Sequence, residues 1–122
     1  MEPAHTSRLT EYQSEQVETV RAIHEYLMQN IGQRITIDAL SKQYLINPTT
    51  LKEVFKSVYG TSIAAHIKEH RMELAARLLL ETTLSIAEIG QRIGYESQSR
   101  FTSAFKAYFK VLPKEYRKNH RG

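Results

Sequence analysis

An all-α fold is what this sequence predicts: seven helices forming two helix-turn-helix units joined by a long linker helix. Three observations carry that prediction. Apolar residues recur at spacings of three and four, and few stretches alternate with period two. Gly and Pro are scarce, 5 and 3 in 122 residues, and Gly32, Pro48, Gly60, Gly94 and Pro113 stand where helices should start or stop. The chain also repeats itself. Leu40, Tyr44, Leu51, Phe55 and Lys56 are echoed by Ile89, Ile93, Phe101, Phe105 and Lys106, at an offset of about 49–50 residues.

The first helix runs from about Ser14 to Ile31, with Val17, Val20, Ile23, Leu27 and Ile31 on one face and Gly32 as its stop. Residues 1–13 hold few apolar anchors and are expected to fray. The second helix, about Ile37 to Tyr44, has Thr36 as N-cap and Asp38 in the first turn, where the helix dipole favours an acid. The third is capped by Asn47, has Pro48 where a missing N–H costs nothing, and ends at Gly60. The fourth, about Ser62 to Glu81, carries Ile63, Ile67, Leu74, Ala75, Leu78 and Leu79. At about 1.5 Å per residue it spans roughly 28 Å. The fifth opens on Ser85-Ile86-Ala87-Glu88, a capping box, and ends near Ile93 before Gly94. The sixth is capped by Ser97 and is expected to turn Phe101, Ala104, Phe105 and Tyr108 inward. The seventh starts at Pro113, with Tyr116 packing it down. The expected organisation is a flexible segment 1–13, a first unit 14–61, a linker helix 62–81 and a second unit 82–122.

Composition narrows the function. Cysteine is absent, which removes disulfides, thiolate zinc fingers and cysteine nucleophiles. Met1-Glu2-Pro3-Ala4-His5 has neither the basic nor the apolar region of a signal peptide. No apolar stretch approaches the ~20 residues of a membrane span, so no membrane partner is expected. A phosphate-binding lysine loop, a dinucleotide glycine fingerprint and a nucleophile elbow are all missing, and no cofactor is expected. Lys and Arg number 17 against 13 acids, a net charge of +4. The excess is uneven: residues 1–60 hold 6 basic and 7 acidic side chains, residues 61–122 hold 11 and 6. A basic second half suits an anionic partner.

Each repeat is a short helix, a tight turn and a capped helix. One apolar stripe holds the second helix of each unit, so its opposite face projects outward. Its N-terminal N–H groups and positive dipole suit phosphate. An α-helix fits the major groove of DNA, and two such helices on one long helix suit successive grooves, about 34 Å apart along the duplex. The two outward faces differ, which predicts an asymmetric site bound by one chain. Two alternatives stay open on the residues alone. Helical hairpins on a long helix also serve as protein–protein interaction modules. His66-Ile67-Lys68-Glu69-His70 spells H-x-x-E-H, the inverted motif of zinc metalloproteases, on a helix. A five-residue pattern arises by chance, and no downstream glutamate ligand accompanies it. No metal ligand and no catalytic residue is therefore assigned, and the expectation is that the chain is not an enzyme.

The residues also carry a family resemblance. Ile86-Ala87-Glu88-Ile89-Gly90, then Ile93-Gly94-Tyr95-Glu96-Ser97-Gln98-Ser99-Arg100-Phe101-Thr102-Ser103-Ala104-Phe105-Lys106, then Phe109, Pro113, Tyr116 and Arg117 resemble the signature of AraC/XylS-type transcriptional regulators. Leu51, Phe55-Lys56, Gly60-Thr61-Ser62, Ile67, Arg71, Ala75 and Leu78-Leu79 match that family's first unit and linker helix. The resemblance implies a homeodomain-like, seven-helix DNA-binding domain. It implies bacterial regulation of transcription, commonly activation, in the cytoplasm at the nucleoid, with RNA polymerase as a further partner. It implies a monomer for the isolated domain, with dimers formed through a separate sensor domain. The sequence departs from the pattern in places. Ser41 and Leu45 replace the usual Ala and turn Gly of the first unit, so a strained turn of different shape is expected there. Gly90 replaces an Ala in the second unit and should weaken that helix slightly. His66 stands at a commonly aromatic position, and Lys110 and Leu112 replace the Gly and the hydroxyl cap expected before Pro113.

Carried over by position, base contacts come from Thr49, Lys52 and Glu53 on the third helix and from Gln98, Ser99, Arg100 and Ser103 on the sixth. Gln can pair bidentately with adenine and Arg or Lys with guanine, Glu can accept from cytosine, and a Thr methyl can meet that of thymine. Phosphate contacts come from Thr50, Lys56, Arg92, Thr102 and Lys106, which fix register without specifying sequence. Glu53 can equally pair with Lys56 three residues on, and Arg100 can hold a phosphate in place of a base. Arg71, in the middle of the linker helix, has the right charge to meet DNA, and a structural ion pair with an acid is expected there at least as much.

Overall fold

A computed structural model describes residues 14–121. The expectation that residues 1–13 fray falls outside them. Among the described residues there are seven helices and no strand: α1 (Ser14–Gln29), α2 (Ile37–Tyr44), α3 (Pro48–Tyr59), α4 (Ile63–Glu81), α5 (Ile86–Arg92), α6 (Gln98–Phe109) and α7 (Pro113–Arg121). They form two compact units. One holds the described residues up to Asn30 together with Ile35–Ile67; the other holds Ile31–Arg34 and the chain from Lys68 onward.

Each unit has its own core. In the first, Val20, Ile23 and Leu27 of α1 meet Leu40 of α2, Leu51, Val54 and Phe55 of α3, and Ile63 of α4. In the second, Met72, Ala75 and Leu79 of α4 meet Ile89 of α5, Ile93, and Phe101 and Phe105 of α6, all without exposed surface. The residues that repeat in sequence take matching places in the two cores: Leu40 and Ile89, Leu51 and Phe101, Phe55 and Phe105. Each such side chain contributes roughly 1.5–3 kcal/mol by leaving water. Met72, absent from the sequence-based core, is buried because α4 serves both cores and so shows no single apolar face.

The helix starts follow from their caps. The Ala39 N–H donates to Thr36 Oγ1 at 3.0 Å, and the Arg100 N–H donates to Ser97 Oγ at 3.1 Å. Ser85 and Glu88 complete the capping box, with Ser85 N–H to Glu88 Oε1 at 3.0 Å and Glu88 N–H to Ser85 Oγ at 3.1 Å. These bonds from Ser85 hold the Glu88 carboxyl below the usual glutamate range. At its far end, α4 is closed by Arg117, whose Nε and Nη2 donate to the carbonyls of Leu79 and Thr82 at 2.9 and 3.3 Å.

Two expectations about helix ends are corrected. α1 stops at Gln29, short of Ile31, where the Asn30 N–H turns back to the Leu27 carbonyl at 3.2 Å. Gly32 is not a left-handed stop; it marks a close approach, since a Cβ there would collide with the Arg92 carbonyl. On α6, Tyr108 is 41% exposed and does not face inward. Phe109 takes that place, four residues after Phe105 and 4.6 Å from it ring to ring, because i,i+4 stays on the buried stripe.

The two turns are alike, against the expectation that the first would differ. Leu45 adopts the left-handed conformation (φ 54°, ψ 47°), and the Ile46 N–H reaches the Ser41 carbonyl at 3.1 Å. In the second unit Gly94 has φ 98°, and the Tyr95 N–H reaches the Gly90 carbonyl at 2.9 Å. The Leu45 side chain is 92% exposed, so it avoids clashes, but the backbone strain remains. Gly90 does more than weaken its helix. A Cβ there would lie 3.0 Å from Phe101 Cβ, so the bare backbone lets α6 come close. At the matching place in the first unit, the Ser41 hydroxyl is buried without a hydrogen-bond partner.

Leu45→Gly is therefore expected to stabilise the chain by roughly 0.5–1 kcal/mol, strain relief of about 1–2 kcal/mol less the entropy cost of Gly. Ser41→Ala is expected to add about 1 kcal/mol by removing the orphaned hydroxyl. Urea unfolding midpoints at constant m-value measure both.

Candidate nucleic-acid interface

The second helix of each hairpin has one buried face and one outward face. On α3, Leu51, Val54 and Phe55 are buried, while Thr49, Lys52, Glu53 and Lys56 are exposed. On α6, Phe101 and Phe105 are buried, while Gln98, Ser99, Arg100, Ser103 and Lys106 are exposed. Thr50 and Thr102 are half-buried at the margins of these stripes, and Arg92 is exposed in the last turn of α5. Every residue singled out from sequence thus lies on an outward face or at its edge, and the residues fall into one group per unit.

The two helix tips are chemically different. At α3, Pro48 has no N–H. The N–H groups of Thr49 and Thr50 both donate to Asn47 Oδ1, at 2.8 and 3.3 Å, and that of Leu51 donates to the Asn47 carbonyl at 2.8 Å. The expectation of unpaired donors at this tip is corrected: the cap takes them. At α6 the Ser97 hydroxyl accepts from the Arg100 N–H, and the N–H groups of Gln98 and Ser99 in the first turn have no carbonyl of their own helix to meet. The clefts beside the tips differ too. In the first unit, a cleft of about 170 Å³ is lined by Glu15, Thr19, Leu45, Asn47 and Thr50, without a basic side chain. In the second, a cleft of about 570 Å³ is lined by Arg34, Arg71, Glu96, Ser99, Arg100 and Ser103.

Arg71 is not in the expected ion pair with an acid. Its Nε donates to the Ile31 carbonyl at 2.9 Å and its Nη2 to the Gln33 carbonyl at 3.0 Å, and the guanidinium carbon lies 5.9 Å from the Tyr95 ring centre. The reason is that segment 31–34 lies outside any helix, so its carbonyls need donors, and an Arg fork supplies two. Gly94 leaves room for this, since a Cβ would sit 2.7 Å from Arg71 Nη2. Burial lowers the Arg71 pKa, with Tyr95 opposing; burial raises the Tyr95 phenol, with Arg71 opposing. Arg34, at the end of the segment, faces Glu96 at 3.6 Å. Sequence reasoning missed it, because it stands between α1 and α2, two helices of the first unit, and only its charge marked it.

In the first unit, His24 and His66 bring their Nε2 atoms to 2.8 Å, a hydrogen bond in which one ring donates. His24 stacks on Tyr59 at 4.2 Å, and His66 meets the edge of Phe55 at 5.6 Å, so His66 packs as the aromatic expected at its position does. In the second unit, His70 Nδ1 lies 3.9 Å from Glu73. The two imidazoles of the H-x-x-E-H stretch thus have packing and polar neighbours of their own.

Known proteins share this fold. Residues 40–119 match a family model described as a helix-turn-helix domain. The xylose operon regulatory protein of Escherichia coli is 37% identical over 111 residues, which is 90% of this chain and 28% of that protein's length. The C-terminal domain of AraT, a response regulator from Geobacillus stearothermophilus, superposes with a TM-score of 0.79 at 34% identity, covering 83% of this chain and 84% of that one. A transcriptional regulator from Chromobacterium violaceum, described as containing an AraC-type DNA-binding domain, gives 0.70 at 25% identity, covering 84% and 89%.

Removing the Arg71 fork with Arg71→Ala is expected to cost about 2 kcal/mol, since hydrogen bonds from a charged donor contribute about 1.5–3 kcal/mol. Amide exchange in residues 31–34 should quicken in the same variant, and hydrogen-exchange mass spectrometry measures it.

Proposed function

The chain belongs to the AraC-type family of helix-turn-helix transcription regulators, and from that premise we propose that it regulates bacterial transcription by binding double-stranded DNA sequence-specifically through the outward faces of α3 and α6. The observation that carries this reading is the twofold pattern. Each unit buries one stripe of a capped helix completely and turns outward a face of side chains that pair with bases or phosphates. Gln98, Ser99, Arg100 and Ser103 read base edges from α6, and Thr49, Lys52 and Glu53 read them from α3. Thr50, Lys56, Arg92, Thr102 and Lys106 hold the phosphate backbone.

The two faces carry different residues, which favours an asymmetric operator bound by one chain. The second unit has the more basic cleft and the open helix tip, which favours firmer hold on the backbone there. Contact with RNA polymerase, activation of the promoter and dimerisation through a sensor domain belong to the same proposal. So does residence in the cytoplasm at the nucleoid; among the described residues no helix is long and apolar enough to cross a membrane.

The test uses binding sites selected from a random DNA pool, with mixed-sequence duplex as reference. Gln98→Ala and Arg100→Ala are expected to lose preference for the selected site, by about 1–3 kcal/mol for each bidentate pair removed. Lys106→Ala is expected to weaken both duplexes alike and to lower the salt slope by about 0.9. Equal losses on both duplexes for all three variants would sink the assignment of roles.

A further inference from the structure

The segment Ile31–Arg34 follows α1 in the chain, yet it packs into the second unit. Gly32 lies against the Arg92 carbonyl, and the Arg71 fork holds the carbonyls of Ile31 and Gln33. This anchoring sets Arg34 at the wall of the 570 Å³ cleft that also includes Ser99, Arg100 and Ser103 of α6. Three guanidinium groups line that cleft against one carboxylate, Glu96. Arg71 is fixed by its carbonyl partners and acts through its field. Arg34 is different: its side chain is 90% exposed, and it meets Glu96, 71% exposed, at 3.6 Å. An ion pair so exposed contributes little, and its guanidinium exchanges readily for a better anion.

A phosphodiester is that anion. A guanidinium binds it through two parallel charge-assisted bonds, and the site needs no apolar enclosure to do so. A small-molecule pocket would bury most of its ligand, whereas Arg34, Glu96, Ser99, Arg100 and Ser103 are all exposed. The strand that brings the phosphate is the one engaged by α6, whose outward residues share the cleft. We propose that Arg34 is a phosphate-contacting residue of the second unit, which leaves Glu96 when a DNA strand enters the cleft. Glu96 is the one residue by which the second turn exceeds the first in the repeat, so this device has no counterpart there. The inference rests on the DNA-binding reading and adds a contact from outside both hairpins.

Affinity for a mixed-sequence DNA duplex, measured against salt, tests it. Arg34→Ala is expected to lower the slope of log K against log salt by about 0.9 at an unchanged melting temperature, and Arg34→Lys to keep the wild-type slope. A wild-type slope in Arg34→Ala overturns the contact and leaves a surface ion pair. Should affinity and melting temperature fall together, Glu96→Gln decides: tighter binding supports the contact, and unchanged or weaker binding overturns it. If the wild-type chain has no salt-dependent affinity, the DNA-binding reading fails and this contact with it. A normal wild-type slope with an unchanged Arg34→Ala slope overturns this contact alone.

Discussion

Each outward face depends on one tight turn. The hydrogen bond from Ile46 N–H to the Ser41 carbonyl, and from Tyr95 N–H to the Gly90 carbonyl, folds a short helix back onto the capped one. A residue must enter the left-handed region for that bond to close: Leu45 in one unit, Gly94 in the other. Once it closes, Leu40 and Ile89 meet Phe55 and Phe105 in their respective cores, and the rotation of α3 and α6 is fixed. That rotation decides which side chains face outward. Geometry is therefore supplied by a few buried groups, and chemistry by the exposed residues opposite them.

The two copies solve the same constraint unequally. The second uses Gly90 for close approach and Gly94 for the turn, so it closes without backbone strain. The first carries an orphaned hydroxyl at Ser41 and a strained Leu45. The difference continues into electrostatics. The tip of α3 has its donors taken by Asn47 beside a cleft that holds Glu15, whereas the tip of α6 opens beside three arginines. The +4 of the whole chain thus averages a nearly neutral first half and a basic second half.

Much of this was legible in the sequence, for local reasons. Thr36, Asn47, Ser85 and Ser97 announce helix starts because a cap is a contact across two or three residues. The repeated Phe-Lys pairs mark the buried stripe and, by opposition, the outward face. What stayed hidden spans long separations. Arg71 reaches carbonyls 38 and 40 residues away, and nothing in its spacing says so. Ile31–Arg34 joins the second unit through those same bonds, which is why Arg34 escaped notice. Tyr108 and Phe109 are adjacent aromatics in the last turn of a helix, where a shift of one position exchanges inside for outside.

The central claim is that both units, not one, read DNA. Chemical-protection footprinting of a single chain on a selected duplex tests it most directly. The account predicts two separate protected major-groove segments of unlike sequence, with the stronger backbone protection beside the segment read by α6. A single protected segment, or a palindromic site that requires two chains, would contradict it.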